Sequence, residues 1–310
     1  MRQAFLKTLI ECLASDPAIL LLSSDTGFHV FDDFQRDYPA HYLNVGISEA
    51  AMIGMAAGLA LSGRKVMAYA IAPFATFRCL EQIRVDLCCQ NLPVMVVGVG
   101  AGLTYGPAGP THHTIEDIAV MKALPNMTVF CPGDPWETEA AVRAGLTLDG
   151  PCYLRLGKSS EPLVHQQAPS FRVGEGILLC PGKDLAILST GTMLAAAVEV
   201  ADRLSEVHGI SAELISMPTV KPIDRRLIGE AAERFPLLVT MEEHNVLGGF
   251  GSAVADAILE VGPTATRLLK FGIPDVYSDI AGSQEYLRAK YGLDPKTMVT
   301  RILEVLRSQS

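Results

Sequence analysis

The chain has 310 residues, 49% hydrophobic and 19% charged, with a formal net charge of −9. That length suits two domains of ordinary size, and so apolar a composition suggests buried interfaces in addition to cores, hence an oligomer. The acidic balance argues against nucleic acid or an anionic membrane as main partner; the seven scattered cysteines, with no CxxC pair and no Cys/His ligand spacing, argue against a zinc site or a disulfide framework.

The opening MRQAFLKTLIECL reads as an amphipathic helix with no signal-peptide cleavage site. No apolar run reaches membrane-spanning length, so a cytoplasmic protein is expected. Residues 18–23 (AILLLS) read as a buried strand. Ser48–Leu61, rich in Ala, Met and Gly, reads as a helix buried on most sides. Further strands are expected at 65–70, 93–99 and 127–131, with helices near 74–90, 114–123 and 135–146. The polar, proline-bearing stretch 157–170 (GKSSEPLVHQQAPS) has no helical period and reads as a linker. A second alternating unit follows: a strand at 184–189, a helix near 193–207, strands at 211–215 and 236–241, and a helix opened by Gly248, Gly249 and Gly251. The expected fold is α/β, two doubly wound domains over 1–167 and 168–310, the first with a mostly parallel sheet and the second smaller.

Three segments could carry chemistry. In GISEAAM, Glu49 is the only acidic residue between Asp37 and Glu81 and opens an apolar helix. A first-turn carboxylate often complements the helix dipole. Burial here would also raise its pKa and suit it to exchange a proton with a ring nitrogen. In IAPFATFR, Phe74 stands beside Pro73 at a strand end, where open α/β sheets place ligands, and can offer its face to a heteroaromatic ring. Phe77 is a core residue or a second contact to such a ring. In YGPAGPTHHTIED, a glycine- and proline-rich loop delivers His112 and His113. A metal pair lacks a third ligand, so hydrogen bonding or acid/base work on a substrate oxygen fits His112 better. For His113 a structural hydrogen bond is the equal alternative.

These segments, GISEAAMIGMAAGLAL, FATFRCLEQIR and GPTHHTIEDIAVMKALPNMTVFCPGD, stand in one order with MPTVKPID and EEHNVLGGFGSAV beyond the linker. In that order the chain resembles the transketolase and deoxyxylulose-phosphate synthase family, specifically the C-terminal, pyrimidine-binding subunit of a split transketolase-like enzyme. The resemblance covers essentially the whole chain and implies thiamine diphosphate as cofactor. Glu49 falls at the glutamate that bonds the aminopyrimidine, Phe74 at the ring-stacking aromatic, and Asp25 at an aspartate close to the thiazolium. His112 falls at a histidine contacting substrate oxygen. Arg2 and Lys158 fall at basic contacts to substrate phosphate, Lys158 replacing an arginine and losing its bidentate fork. His29 and His113 complete the candidate substrate contacts.

Two departures bear on the substrate. Ala108 stands where the family carries an aspartate that reads a donor hydroxyl, and Gly100 where transketolases carry a second substrate histidine. They imply a smaller, deoxy or otherwise unusual donor, a 2-oxoacid such as pyruvate or a modified sugar, so that the expected reaction transfers a two-carbon ketol or acyl unit from a ketose or 2-oxoacid donor to an aldehyde or ketone. The family's diphosphate-binding Gly-Asp-Gly motif is absent, Gly133-Asp134-Pro135 being its nearest imitation. The resemblance therefore implies a diphosphate-binding N-terminal-type partner subunit that holds most of the Mg2+ site, around a homodimer of this chain in a heterotetramer. The alternatives are the β subunit of a 2-oxoacid dehydrogenase E1 component and a noncatalytic scaffold subunit.

Overall fold

The computed structural model describes residues 1–27, 29–158 and 161–308. The run at the first strand, β1 (Ile19–Ser23), shows how the fold forms. Leu20 and Leu22 enter one apolar cluster with Met52 and Ile53, whereas Ile19 and Leu21 enter another with Phe5 and Leu9. Successive side chains of a strand point to opposite faces, so a continuous apolar run requires helices on both faces and suits a parallel sheet. The other strands of this sheet are β2 (Tyr42–Asn44), β3 (Lys65–Ile71), β4 (Val94–Val99), β5 (Thr128–Phe130) and β6 (Cys152–Leu156). A second group comprises β7 (Ile177–Cys180), β8 (Leu185–Ser189), β9 (Ala212–Ser216), β11 (Leu237–Asn245) and β12 (Arg267–Ile273). Between β9 and β11 lies β10 (Thr219–Lys221).

The first sheet runs β10-β5-β6-β4-β3-β1-β2 and the second β12-β11-β8-β9-β7. Every pairing is parallel except β10 with β5 and β7 with β9. The expected α/β fold with two sheets is thus present. One detail departs from a clean division of the chain: β10 belongs to the second half and closes the edge of the first sheet. One apolar cluster also joins the two units, holding Leu22 and Val96 together with Ala186, Leu188 and Phe250.

Three local expectations are corrected. The helix near 74–90 is broken into Ala72–Thr76, Leu80–Gln82 and a wider π-turn at Ile83–Cys88. The helix near 114–123 starts at Asp117 because Thr114 exchanges both of its backbone hydrogen bonds, each 2.9 Å, with Gly102. The helix Glu49–Leu61 buries Met52, Ile53, Ala56 and Ala57 but exposes Ala51, Gly54, Met55 and Gly58, so one face is bare in the single chain. Residues 161–170 carry neither helix nor strand, in keeping with a linker; Ser159 and Ser160 lie outside the described residues. Among the described residues no helix is long and apolar enough to cross a membrane.

In β11 the carboxylate of Glu242 accepts the N–H groups of Phe250 (2.6 Å) and Gly251 (2.8 Å), at the start of the helix Phe250–Val261. Burial outweighs those bonds and pushes its pKa up to about 7, from 4.5. Between those pH values the folded chain holds a proton that the unfolded chain has released, so this group's contribution to stability falls as pH rises. Glu242→Gln removes the titration. Unfolding free energies of the two chains from urea titration are expected to diverge across that window by on the order of 1 kcal/mol per pH unit; a constant difference would refute the assignment.

Candidate active site

The carboxyl ends of parallel strands are where loops leave an open sheet and where its ligands bind. Here β1 leads to Ser24 and Asp25, β3 to Phe74, β4 to Gly100, and β6 to Lys158. Helix Glu49–Leu61 starts over the same edge, after β2.

Glu49 is 2% exposed, and its carboxylate accepts Ser24 Oγ (3.3 Å) and the Arg78 guanidinium (2.6 Å). The apolar surroundings expected for it are therefore interrupted by one ion pair. Arg78, 47% exposed, also lies over the Phe74 ring, 4.3 Å from its centroid. His112 meets Phe74 edge-on at 5.2 Å, with its Nδ1 3.0 Å from Thr111 Oγ1. The structure thus brings Glu49, Phe74 and His112 into one group, as the motifs suggested, with Arg78 joining the first two. A flat, N–H-bearing group stacked on Phe74 while donating to Glu49 is the arrangement an aminopyrimidine requires, so this donor set fits that ring.

The remaining candidates are spread around this group. Lys158 is exposed, with its ammonium 4.7 Å above the Tyr105 ring. Tyr105 in turn lies 6.1 Å from His112. Arg2 is half-buried, its charge acting on Tyr69 and Tyr105, and its Nε is buried without a hydrogen-bond partner. Asp25 is exposed, at φ 56°, and exchanges two hydrogen bonds with Asn44, of 3.0 and 2.9 Å. His29 faces Asp32 at 3.5 Å. Phe77 is half-buried and its N–H donates to Pro73. His113 is buried 3.3 Å from the Gly106 carbonyl, a bond that holds the loop, and burial pulls its pKa down. Ala108 is exposed on the loop between Tyr105 and His112.

The loop is held from the second domain. Glu243, in β11, accepts the Leu103 N–H (2.6 Å), both contacts of Gln284 Nε2 (2.9 and 3.0 Å) and the Arg288 guanidinium. A Cβ on Gly102 would fall 2.4 Å from the Glu243 carboxylate, so glycine is what admits this contact. Ser24, Arg78, Tyr105 and Glu243 were not singled out from sequence. For Arg78 the signal was its place four residues beyond Phe74 on a helix-like segment; for Tyr105 it was an aromatic opening the histidine loop. Among the described residues, no group of three or more His, Cys, Asp or Glu could hold a metal ion.

Comparison with known proteins identifies the family. A family model described as the transketolase pyrimidine binding domain matches residues 1–162, and one described as the transketolase C-terminal domain matches residues 174–298. An apulose-4-phosphate transketolase subunit of Phocaeicola vulgatus is 34% identical over 308 residues, covering 99% of this chain and 97% of its own. The 1-deoxy-D-xylulose-5-phosphate synthase of Microcystis aeruginosa is 35% identical over 99% of this chain but only 48% of its own length. A solved structure described as a split gene transketolase, inactive beta4 tetramer, superposes with a TM-score of 0.91 at 38% identity, covering 99% of this chain and 98% of that one.

Proposed function

Since the chain belongs to the transketolase family, spanning its pyrimidine-binding and C-terminal domains, we propose that it is the pyrimidine-activating subunit of a two-chain, thiamine diphosphate-dependent transketolase. The observation that carries this reading is the buried Glu49 carboxylate joined through Arg78 to the face of Phe74, with His112 at the edge of the same ring. When bound, thiamine diphosphate supplies the carbon nucleophile and electron sink that ketol or acyl transfer needs. Glu49 would hold and exchange a proton at the pyrimidine nitrogen, and Phe74 would orient the ring. His112, with Nδ1 engaged by Thr111, would present Nε2 to a substrate oxygen. Lys158 and Arg2 would draw an anionic substrate group toward the mouth; Asp25 and Phe77 would border the cofactor.

The diphosphate and its Mg2+ would be held mainly by the second chain. Homologous subunits of split transketolases support a need for that partner. Self-association is supported by the bare face of helix Glu49–Leu61, where Met55 is 45% and Leu61 66% exposed, and by Ile47, 77% exposed ahead of the helix. Several exposed apolar residues along one helix are what a buried interface would cover. The domain boundary is proposed at 167/168, between the two matched regions.

Calorimetric titration of thiamine diphosphate with Mg2+, first into this chain and then into its mixture with the partner, tests the proposal. Heat is expected only with both chains present. Tight binding by this chain alone would overturn the two-chain reading.

A further inference from the structure

The loop that carries His112 is closed at its base, where Gly102 and Thr114 exchange two backbone hydrogen bonds of 2.9 Å. Within it the His112 N–H donates to the Gly109 carbonyl at 3.0 Å and its Nδ1 meets Thr111, so the place of the imidazole follows from where the loop is held. The second domain holds it at two points. Glu243, 1% exposed, accepts the Leu103 N–H at 2.6 Å, and the Gly282 N–H reaches the Gly106 carbonyl at 3.3 Å. A Cβ on Gly106 would fall 2.3 Å from the Gly282 carbonyl oxygen, so these two segments meet backbone to backbone. The Glu243 carboxylate is itself fixed from its own domain. Gln284 Nε2 bonds both of its oxygens, at 2.9 and 3.0 Å, and the Arg288 guanidinium pairs with it while donating to the Thr192 carbonyl at 3.1 Å. Gln284 also touches the loop, 3.3 Å from Thr104 Oγ1.

We propose that Glu243 is a positioning residue for the reaction: anchored in the second domain, it sets the histidine loop and, through the loop, the place of His112 beside Phe74. The inference rests on the function proposed above and gives the second domain, which supplies none of the candidate chemical groups, a part in it. A charged acceptor makes a hydrogen bond about twice as strong as a neutral one. A carboxylate held by Gln284 and Arg288 is therefore a stiff reference point for one backbone N–H. Near the reacting atoms a displacement of about 1 Å can lower the rate about 100-fold. An amide at position 243 has one acceptor oxygen and turns its NH2 toward neighbours that are themselves donors, so it cannot serve Leu103, Gln284 and Arg288 together. The loop then loses its anchor while the Glu49–Phe74 group stays as it is.

The test is a double-mutant cycle in the complete two-chain enzyme with thiamine diphosphate and Mg2+, with pyruvate and a ketose phosphate each supplied as donor. Glu243→Gln alone is expected to lower kcat/KM about 10- to 100-fold. Thiamine diphosphate affinity should stay within about threefold of native, because Glu49 and Phe74 are untouched. In a His112→Ala background the same substitution should lower kcat/KM by less than about threefold, since the group it positions is gone. Hydrogen exchange should quicken in residues 102–113 and stay native in β1, β3 and β4. A merely structural role would multiply the two losses, so full additivity overturns the proposal. A native rate in Glu243→Gln or in His112→Ala overturns it as well. If Glu243→Gln does not fold, Gln284→Leu, which leaves the ion pair with Arg288 in place, is measured under the same criteria. A native enzyme that turns over neither donor overturns the functional reading, and this inference with it; turnover with an additive cycle overturns this inference alone.

Discussion

Glu49→Gln is expected to lower kcat/KM of the two-chain enzyme by about 10²- to 10⁴-fold while leaving the fold intact. The carboxylate is buried and, in the proposed role, meets a ring nitrogen; the amide has nearly the same shape but cannot take up a proton. The structural cost is small because the ion-pair partner, Arg78, is 47% exposed and can turn to water. Pairs open to solvent contribute about 0–1 kcal/mol. Steady-state kinetics with thermal melting of the same sample separates the two effects. A variant with native kcat/KM would remove Glu49 from the proposed chemistry and favour the noncatalytic reading.

Asp117→Ala is expected to be the most destabilising change in the first domain, by about 3–5 kcal/mol. Its carboxylate accepts Arg155 Nε at 2.8 Å and the Tyr153 hydroxyl at 2.7 Å, and both members of the ion pair are at most 2% exposed. Without Asp117 the guanidinium is left charged and enclosed, since an arginine does not escape by deprotonating. Arg155 also donates to the carbonyls of Thr114 and Glu243, both at 3.0 Å, tying the histidine loop to the second domain. The loss should therefore loosen the loop as well as lower the urea midpoint. A loss below about 1 kcal/mol would mean that the pair is compensated in a way these contacts do not describe.

What could be read from sequence follows the range of each interaction. Glu49 stood out because it is a lone acid in an apolar stretch, and His112 because Gly-Pro loops seldom carry paired imidazoles for packing reasons. Both signals lie within a few residues. Arg78 pairs with a carboxylate 29 positions away and Glu243 reaches Leu103 across 140, separations that no local period encodes. The alternation of strands and helices was legible because buried parallel strands are continuous apolar runs. Strands β2 and β10, three residues each, are too short to show a period, and their pairing is decided by the sheets they join. The break in the helix near 74–90 is, by contrast, a local feature: Thr76 Oγ1 turns back to the Ala72 carbonyl at 2.7 Å, and the chain widens into a π-turn from Ile83.

The strand β10 limits how this protein can be recombined. Thr219 and Lys221 pair with Phe130 and Val129, so the second half supplies the outermost strand of the first sheet. A chimera exchanging everything after residue 167 would graft a foreign strand onto β5, and a fragment ending there would expose an unpaired edge prone to aggregation. Cleavage in the connecting segment should leave the two pieces associated, held by that strand and the apolar cluster common to both sheets. The unit that can be transplanted intact is the whole chain.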